Sequence, residues 1–391
     1  MLNTTFSPWP SFTSEECEKV QSVLLSNRVN YWTGRESNAF EEEFAHWVGS
    51  LKATTFMNGT VALDASLKAL EVNNGDEVIV TPRSFIASVS SVVNTGAIPV
   101  FVDVDKNNGN LCVDKILGQL SRRTKAIVCV HLAGWPCDMD EILDLANQLN
   151  ISVIEDCAQA HGARYRNRSV GSLGQVAAWS FCQDKIMTTG GEGGMVTTNN
   201  EDLWRKIWSF KDHGKSYETI QETSHQKGFR WLHESFGTNG RMMEIQATIG
   251  RIQLKRMKEW HYKRTKNALR LQEVCLSMPA LRTPIPPPYV EHAWYKFYTY
   301  VRPEALASNW SRNRIIAEIN AIGVPCYEGT CSEIYLEKAF EGTGFRPNSR
   351  LPVAKELGET SLMFLVHPTL KDSEIEHTTA AIQMILHKAQ R

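Results

Sequence analysis

Three short segments of this 391-residue chain carry side chains whose types and spacing could do chemistry. In Val153-Ile154-Glu155-Asp156-Cys157-Ala158-Gln159-Ala160-His161-Gly162, an apolar strand delivers two carboxylates at its C-terminal end. In open α/β sheets, ligands bind in the crevice at that end of the strands. Asp156 could there bind a ribose, ligate a metal, pair with a cationic heterocycle, or be a solvated strand end. In Trp179-Ser180-Phe181-Cys182-Gln183-Asp184-Lys185, a hydroxyl stands five residues before a lysine, and Thr188-Thr189-Gly190-Gly191-Glu192-Gly193-Gly194 follows. Glycines lack the Cβ that keeps backbone away from a ligand. Lys185 therefore sits between a buried strand and a permissive turn, although a surface lysine would fit the same residues. In Met57-Asn58-Gly59-Thr60-Val61-Ala62-Leu63, an Asn-Gly-Thr turn caps a following helix and leaves backbone N–H groups facing outward. Such a helix start is either an ordinary cap or a phosphate site.

Hydrophobic patterning shows the elements that must position these segments. Between residues 50 and 200, helical patterns over Val61–Leu70, Phe85–Asn94 and Glu141–Leu149 alternate with strand-like runs. The runs are Glu77–Val80, Pro99–Val102, Ala126–Val130 and Ser152–Ile154, apolar nearly throughout, as parallel strands covered on both faces require. Ala177–Phe181 and Gly194–Thr198 add an expected strand pair around the glycine turn. The predicted fold class is α/β, with one large, mostly parallel sheet. Met242 to Met278 reads as one long helical stretch, and the five prolines between Pro279 and Pro288 must end it. A strand-like run over His292–Val301 and amphipathic helices over Arg312–Ile322 and Asp372–His387 follow. The expected division is a large α/β domain over 1–255 and a small α+β domain over 256–391.

Composition removes several function classes. The formal net charge is −1, so no global field favours nucleic acid or an anionic membrane. Nine cysteines without a C-x-x-C pair read as free thiols in a reducing cytoplasm, and no metal site is expected. Residues 1–10 have neither a basic start nor an apolar run, and no stretch is long enough to span a bilayer. A cytoplasmic protein is expected. No G-x-G-x-x-G follows a strand and no Walker lysine motif occurs, which argues against a nicotinamide oxidoreductase or a P-loop enzyme.

Together the segments resemble the keto-sugar aminotransferases of pyridoxal-5′-phosphate (PLP) fold type I, the DegT/DnrJ/StrS group. The likeness runs from Pro8 and Tyr31-Trp32-Thr33-Gly34 to the Pro368 region. Its motifs keep one order: helix-start turn, aromatic, Asp-x-x-Gln, Ser-x-x-x-x-Lys, Gly-Glu-Gly-Gly, Gly-x-Asn-x-Arg-Met. The resemblance implies that Lys185 carries PLP as a Schiff base and shuttles a proton. It implies that Asp156 pairs with the pyridinium nitrogen, Gln159 bonds the ring hydroxyl and Phe85 stacks on the ring. Gly59, Thr60 and Ser180 would hold the phosphate. Asn239, in Gly237-Thr238-Asn239-Gly240-Arg241-Met242, would reach the phosphate of a neighbouring subunit, making a homodimer with shared sites. Gly240 departs from the family, which usually has an aromatic residue there. Arg241 is open between a ligand role and a structural ion pair, and His161 reads as packing.

The resemblance further implies glutamate or glutamine as donor and a keto-sugar acceptor supplied by an upstream dehydrogenase. The chain looks closest to the transaminases that make 8-amino-3,8-dideoxy-octulosonate for lipopolysaccharide. That likeness lies in Val130–Asp140, Ser180–Thr198, Gly228–Ser235 and Leu351–Pro368. An acidic acceptor would favour a cationic pocket, and Tyr31, Arg230 and His233 are the candidate substrate residues. The alternatives are a 4-aminotransferase for a GDP- or dTDP-linked 4-keto-6-deoxyhexose, like the perosamine synthases, and a PLP-binding module without turnover.

Overall fold

The β-branched runs build a seven-stranded sheet, described here from a computed structural model covering residues 6–222 and 228–391. Its strands are β1 (Lys52–Phe56), β2 (Glu77–Val80), β3 (Ile98–Phe101), β4 (Thr124–Val130), β5 (Ser152–Asp156), β6 (Val176–Ser180) and β7 (Gly194–Thr198). They lie in the order β1-β7-β6-β5-β4-β2-β3. β7 runs antiparallel to its neighbours β1 and β6, and the remaining pairs are parallel. The strand pair expected around the glycine turn is thus β6–β7.

Strand alternation sends Val78, Val80, Val128 and Ile154 into one core, and Ile79, Ile127, Cys129 and Val153 into another. Both faces are filled, which is why these strands read as continuously apolar. The longer helices of this part are α1 (Ser14–Leu25), α2 (Glu36–Val48), α3 (Gly59–Ala69), α4 (Ala87–Asn94), α5 (Met139–Leu149), α6 (Glu201–Lys211) and α7 (Glu244–Leu276). Asn58 caps α3, its side chain accepting from the Val61 N–H at 2.9 Å.

A second sheet contains β8 (Leu281–Arg282), β9 (Phe297–Val301), β10 (Cys326–Tyr327) and β11 (Ser361–Phe364), antiparallel in the order β8-β9-β11-β10. Helices α8 (Arg312–Ala321), α9 (Pro352–Thr360) and α10 (Asp372–Ala389) belong to this part, whose core gathers Phe297, Ile315, Leu362, Phe364 and Ile382. The strand expected from His292 begins only at Phe297. Trp294 holds a positive φ of 51°, which interrupts an extended path. The Ala293 and Tyr295 N–H groups instead donate to Gly134 and Ala133, each at 2.9 Å, tying this segment to the large sheet's loops.

α7 is 33 residues long and serves both parts. Its Met257 and Trp260 share a core with Phe40, Phe44 and Trp179, whereas its Ala268, Leu271 and Cys275 pack with the small sheet. The division expected between residues 255 and 256 falls inside this helix. Among the described residues, no helix is long and apolar enough to cross a membrane.

Candidate active site

A cavity of about 660 Å³ opens where β5 and β6 end, closed on its far side by the small sheet. Gly59, Thr60, Phe85, Asp156, Gln159, Ser180 and Lys185 all line it. The position of each follows from local structure. Asp156 is the last residue of β5, with one carboxylate oxygen accepting from Ser88 Oγ at 2.7 Å and the other from the Ala158 N–H at 3.1 Å. Gln159 Oε1 accepts from the Ala133 N–H at 2.8 Å, which leaves the amide NH₂ free to donate into the cavity.

Lys185 lies in the connection from β6 to β7. That loop is pinned by Gln183 N–H to Gly191 O at 2.9 Å, Lys185 N–H to Cys182 O at 3.0 Å and Thr189 N–H to Phe181 O at 3.2 Å. Gly191 stands at φ +125°, a region closed to side chains, and so allows the turn. Trp9 Nε1 donates to the Lys185 carbonyl at 2.8 Å, fixing the backbone from the opposite side. At Gly59, an added Cβ would stand 2.6 Å from Ser180 Cβ. The start of α3 therefore presses against Ser180, and its free N–H groups meet the cavity together with the serine hydroxyl. That arrangement suits a phosphate.

The small part supplies residues that the sequence did not single out. Tyr295, Lys296, Tyr298, Tyr327 and Thr330 line the same cavity, together with Asp184. The Tyr295 hydroxyl donates to Asp184 Oδ2, and Asp184 Oδ1 stands 3.8 Å from the Lys185 ammonium. Burial raises the Asp184 pKa, but the Lys185 charge and the Tyr295 hydroxyl outweigh it and hold the carboxyl below its usual range. Burial and the Asp184 charge push the Tyr295 phenol far above its usual value, so it remains a donor. The one local signal for this wall was a lysine inside the aromatic run Trp294–Tyr300.

Other predicted residues lie elsewhere. Asn239 is exposed in a bridge with Asp212 and does not line the cavity of its own chain. Tyr31 is buried beside a separate cavity of about 460 Å³; its hydroxyl accepts from Trp208 Nε1 and donates to Glu41, both at 3.2 Å. Arg230 donates to the Thr219 carbonyl, and His233 is exposed opposite Lys215. None of the three reaches the Lys185 cavity within one chain. Arg241 pairs with Asp212 at 2.5 Å, the structural alternative. At Gly240, where the family usually has an aromatic residue, an added Cβ would stand 3.2 Å from side-chain atoms of both Phe56 and Val61, a tight contact.

His161 packs against Trp179 and Phe181, and burial, helped by the charges of Lys185 and Arg264, lowers its pKa to about 3. Glu155 points to the opposite face of β5 from Asp156. It accepts from Gly171, Leu173 and Gly174 N–H groups at 2.8 to 2.9 Å and meets His131 Nε2 at 3.0 Å. With both oxygens so engaged, and with burial driving the neighbouring Cys157 thiol far up, the His131–Glu155–Cys157 group is a structural knot.

The pattern of the DegT/DnrJ/EryC1/StrS aminotransferase family matches residues 10–383, and the chain belongs to that family. It is similar to an aminotransferase from Psychrobacter cryohalolentis, at 60% identity and TM-score 0.97, over 98% of this chain and 99% of that one. It is 35% identical to a GDP-perosamine synthase from Caulobacter vibrioides, over 90% of this chain and 91% of the relative. DesV of S. venezuelae shares the fold at TM-score 0.84 and 30% identity, covering 95% of this chain and 94% of its own. The protein is a sugar aminotransferase of this PLP-dependent family, and its cavity fits the cofactor. A carboxylate, a lysine and a helix start without a Cβ in the way all face one space.

Proposed function

We propose that the chain transfers an amino group from glutamate, or glutamine, to the C8 carbonyl of 8-dehydro-3-deoxy-D-manno-octulosonate, giving 8-amino-3,8-dideoxy-octulosonate for lipopolysaccharide. The observation that carries the reaction is the convergence of Lys185, Asp156 and the open start of α3 on one cavity. The bound cofactor supplies an electron sink for the charge that develops at the substrate carbon as its proton leaves. Asp156, a buried carboxylate braced by Ser88 and the Ala158 N–H, holds the proton on the ring nitrogen. Gln159 donates its free amide to the ring hydroxyl, and Phe85 covers one ring face. Gly59, Thr60 and Ser180 bind the phosphate. Lys185 Nζ anchors the cofactor at rest, then takes the substrate proton and returns it. Two half-reactions share this site, so ping-pong kinetics follow.

The support for the acidic sugar is the likeness of Val130–Asp140, Ser180–Thr198, Gly228–Ser235 and Leu351–Pro368 to enzymes of that specificity. An upstream dehydrogenase must oxidise the primary alcohol that becomes the carbonyl. A two-fold dimer completes the site in this reading, with Asn239 of one subunit reaching the phosphate of the other, and Arg230 and His233 on the same loop. The exposed aromatics Phe229, Trp231 and Phe236, the last 99% exposed, support a covered surface there. A second reading, a 4-aminotransferase for a GDP- or dTDP-linked 4-keto-6-deoxyhexose, is favoured by the likeness to the GDP-perosamine synthase.

The test is the absorbance of the PLP-loaded protein. Glutamate should bleach the visible band, 8-oxo-Kdo should restore it, and GDP-4-keto-6-deoxymannose should not. Restoration by the nucleotide sugar alone would establish the second reading. A band indifferent to every amino donor would reduce the chain to a PLP-binding module.

A further inference from the structure

Lys296 lines the cavity from the small part, just before β9. The run Trp294-Tyr295-Lys296-Phe297-Tyr298-Thr299-Tyr300 holds no other charge, so packing does not ask for a lysine at this place. Its ammonium stands 4.8 Å from the Tyr295 ring centroid, and that of Lys185 stands 5.4 Å from the same centroid. Two cations thus flank one ring, one at the reacting end of the cavity and one on the wall facing it.

Among the described residues, Lys296 makes no ion pair within 4.0 Å. The carboxylate whose charge it feels, Asp184, is already engaged by the Tyr295 hydroxyl and by Lys185. Burial pushes the Lys296 ammonium down to about 8; Asp184 opposes this, while Arg264 and Lys185 add to it. Met363 and Leu365 give the cavity apolar lining, and Tyr327 and Thr330 offer hydroxyls around it. A half-buried ammonium short of a counter-ion gains from a carboxylate that arrives with the ligand.

We infer that Lys296 receives the carboxylate of the acceptor and is the residue that selects a keto-sugar acid over a neutral keto-sugar. This rests on the acidic-acceptor reading given above. A sugar acid can present its carbonyl at Lys185 and its carboxylate at Lys296, spanning the face of Tyr295. A 4-keto-hexose linked to a nucleotide carries no carboxylate, and its only charge is the diphosphate at C1, across the ring from the keto carbon.

The experiment compares 8-oxo-Kdo with its C1 carboxamide on enzyme loaded with pyridoxamine 5′-phosphate, following return of the visible band against acceptor concentration. Wild type should favour the acid in kcat/KM by about 10- to 100-fold. Lys296→Met should bring the two within about threefold, and Lys296→Arg should restore most of the preference. Calorimetry with unoxidised Kdo gives a second reading, with Kd at least about tenfold weaker in Lys296→Met. An unchanged cofactor spectrum and Tm exclude misfolding as the cause. Lys296→Met that keeps the wild-type preference, or slows acid and amide equally as loss of a proton-transfer group would, overturns the inference and leaves the acidic acceptor standing. Wild type that accepts neither compound overturns the acidic-acceptor reading, and the inference with it.

Discussion

The floor and the wall of the cavity are built on opposite terms. The floor consists of the ends of β5 and β6 and the start of α3, and its polar groups are braced by short backbone bonds. Asp156 is held by Ser88 and the Ala158 N–H, and the Lys185 loop by three main-chain bonds. The wall consists of Tyr295, Lys296, Tyr298, Tyr327 and Thr330 from another sheet. It is joined to the large part by the Tyr295 hydroxyl to Asp184 and by the Ala293 and Tyr295 N–H groups to the Gly134 and Ala133 carbonyls. On the proposed mechanism, the groups needed for every turnover stand on the braced side. The group proposed to distinguish one sugar from another stands on the other.

The largest effect should come from the floor. Lys185→Ala should abolish the visible band and reduce turnover on the order of 10⁴-fold or more, measured with any acceptor. Asp156→Asn should cost on the order of 10² to 10³ in the rate of the glutamate half-reaction while PLP still binds. Equal loss with a cofactor analogue lacking the ring nitrogen would deny Asp156 that partner. On the reverse face of β5, Glu155→Gln should lower unfolding free energy by about 3 kcal/mol in denaturant, with KM little changed. Burial raises the Glu155 pKa, but His131 and the Gly171 and Gly174 N–H groups outweigh it, so the folded value lies below the usual one. Its stabilisation is therefore present above the ordinary carboxylate range and lost as pH falls through the folded value, and Glu155→Gln should flatten that acid limb.

The wall should give the smallest and most selective effect. Lys296 must be protonated to hold a carboxylate, so KM for an acidic acceptor should rise about tenfold per unit above pH about 8. The groups acting on Lys296 are Lys185, Asp184, Arg264, Tyr295 and His367. His367, its pKa lowered to about 3 by burial with Arg264 and Lys296, stays neutral through that range, and Tyr295 titrates far above it. Lys296→Arg should therefore remove the limb, and a limb that survives it belongs to another group.

The same contrast explains what could be read in advance. Gly59, Asp156, Ser180 and Lys185 each sit in a local pattern, a cap, a strand end or a glycine turn, whose geometry is fixed by neighbours a few residues away. Their assembly in one cavity was legible for that reason. Tyr295, Lys296 and Tyr327 have no such local signature. They reach Lys185 because β9 and β10 both pair with β11 and because Ala293 and Tyr295 bond to the loop at Ala133 and Gly134. Those are long-range pairings that a hydrophobic period cannot announce. Reading His292–Val301 as one strand failed on the positive φ at Trp294. Tyr31 lies outside the Lys185 cavity of its own chain and bonds Trp208 and Glu41, partners distant in sequence that no local pattern announces.

α7 joins the two parts that enclose the cavity. At 33 residues it is a beam roughly 50 Å long, embedded in one core along its first half and in the other along its second. Closing the two parts like a jaw would require bending that beam against both cores. Lys185 and Lys296 accordingly stand on two parts that share this one helix. On the Lys296 proposal, a new sugar would be admitted by changing side chains on the wall while this shared helix is kept.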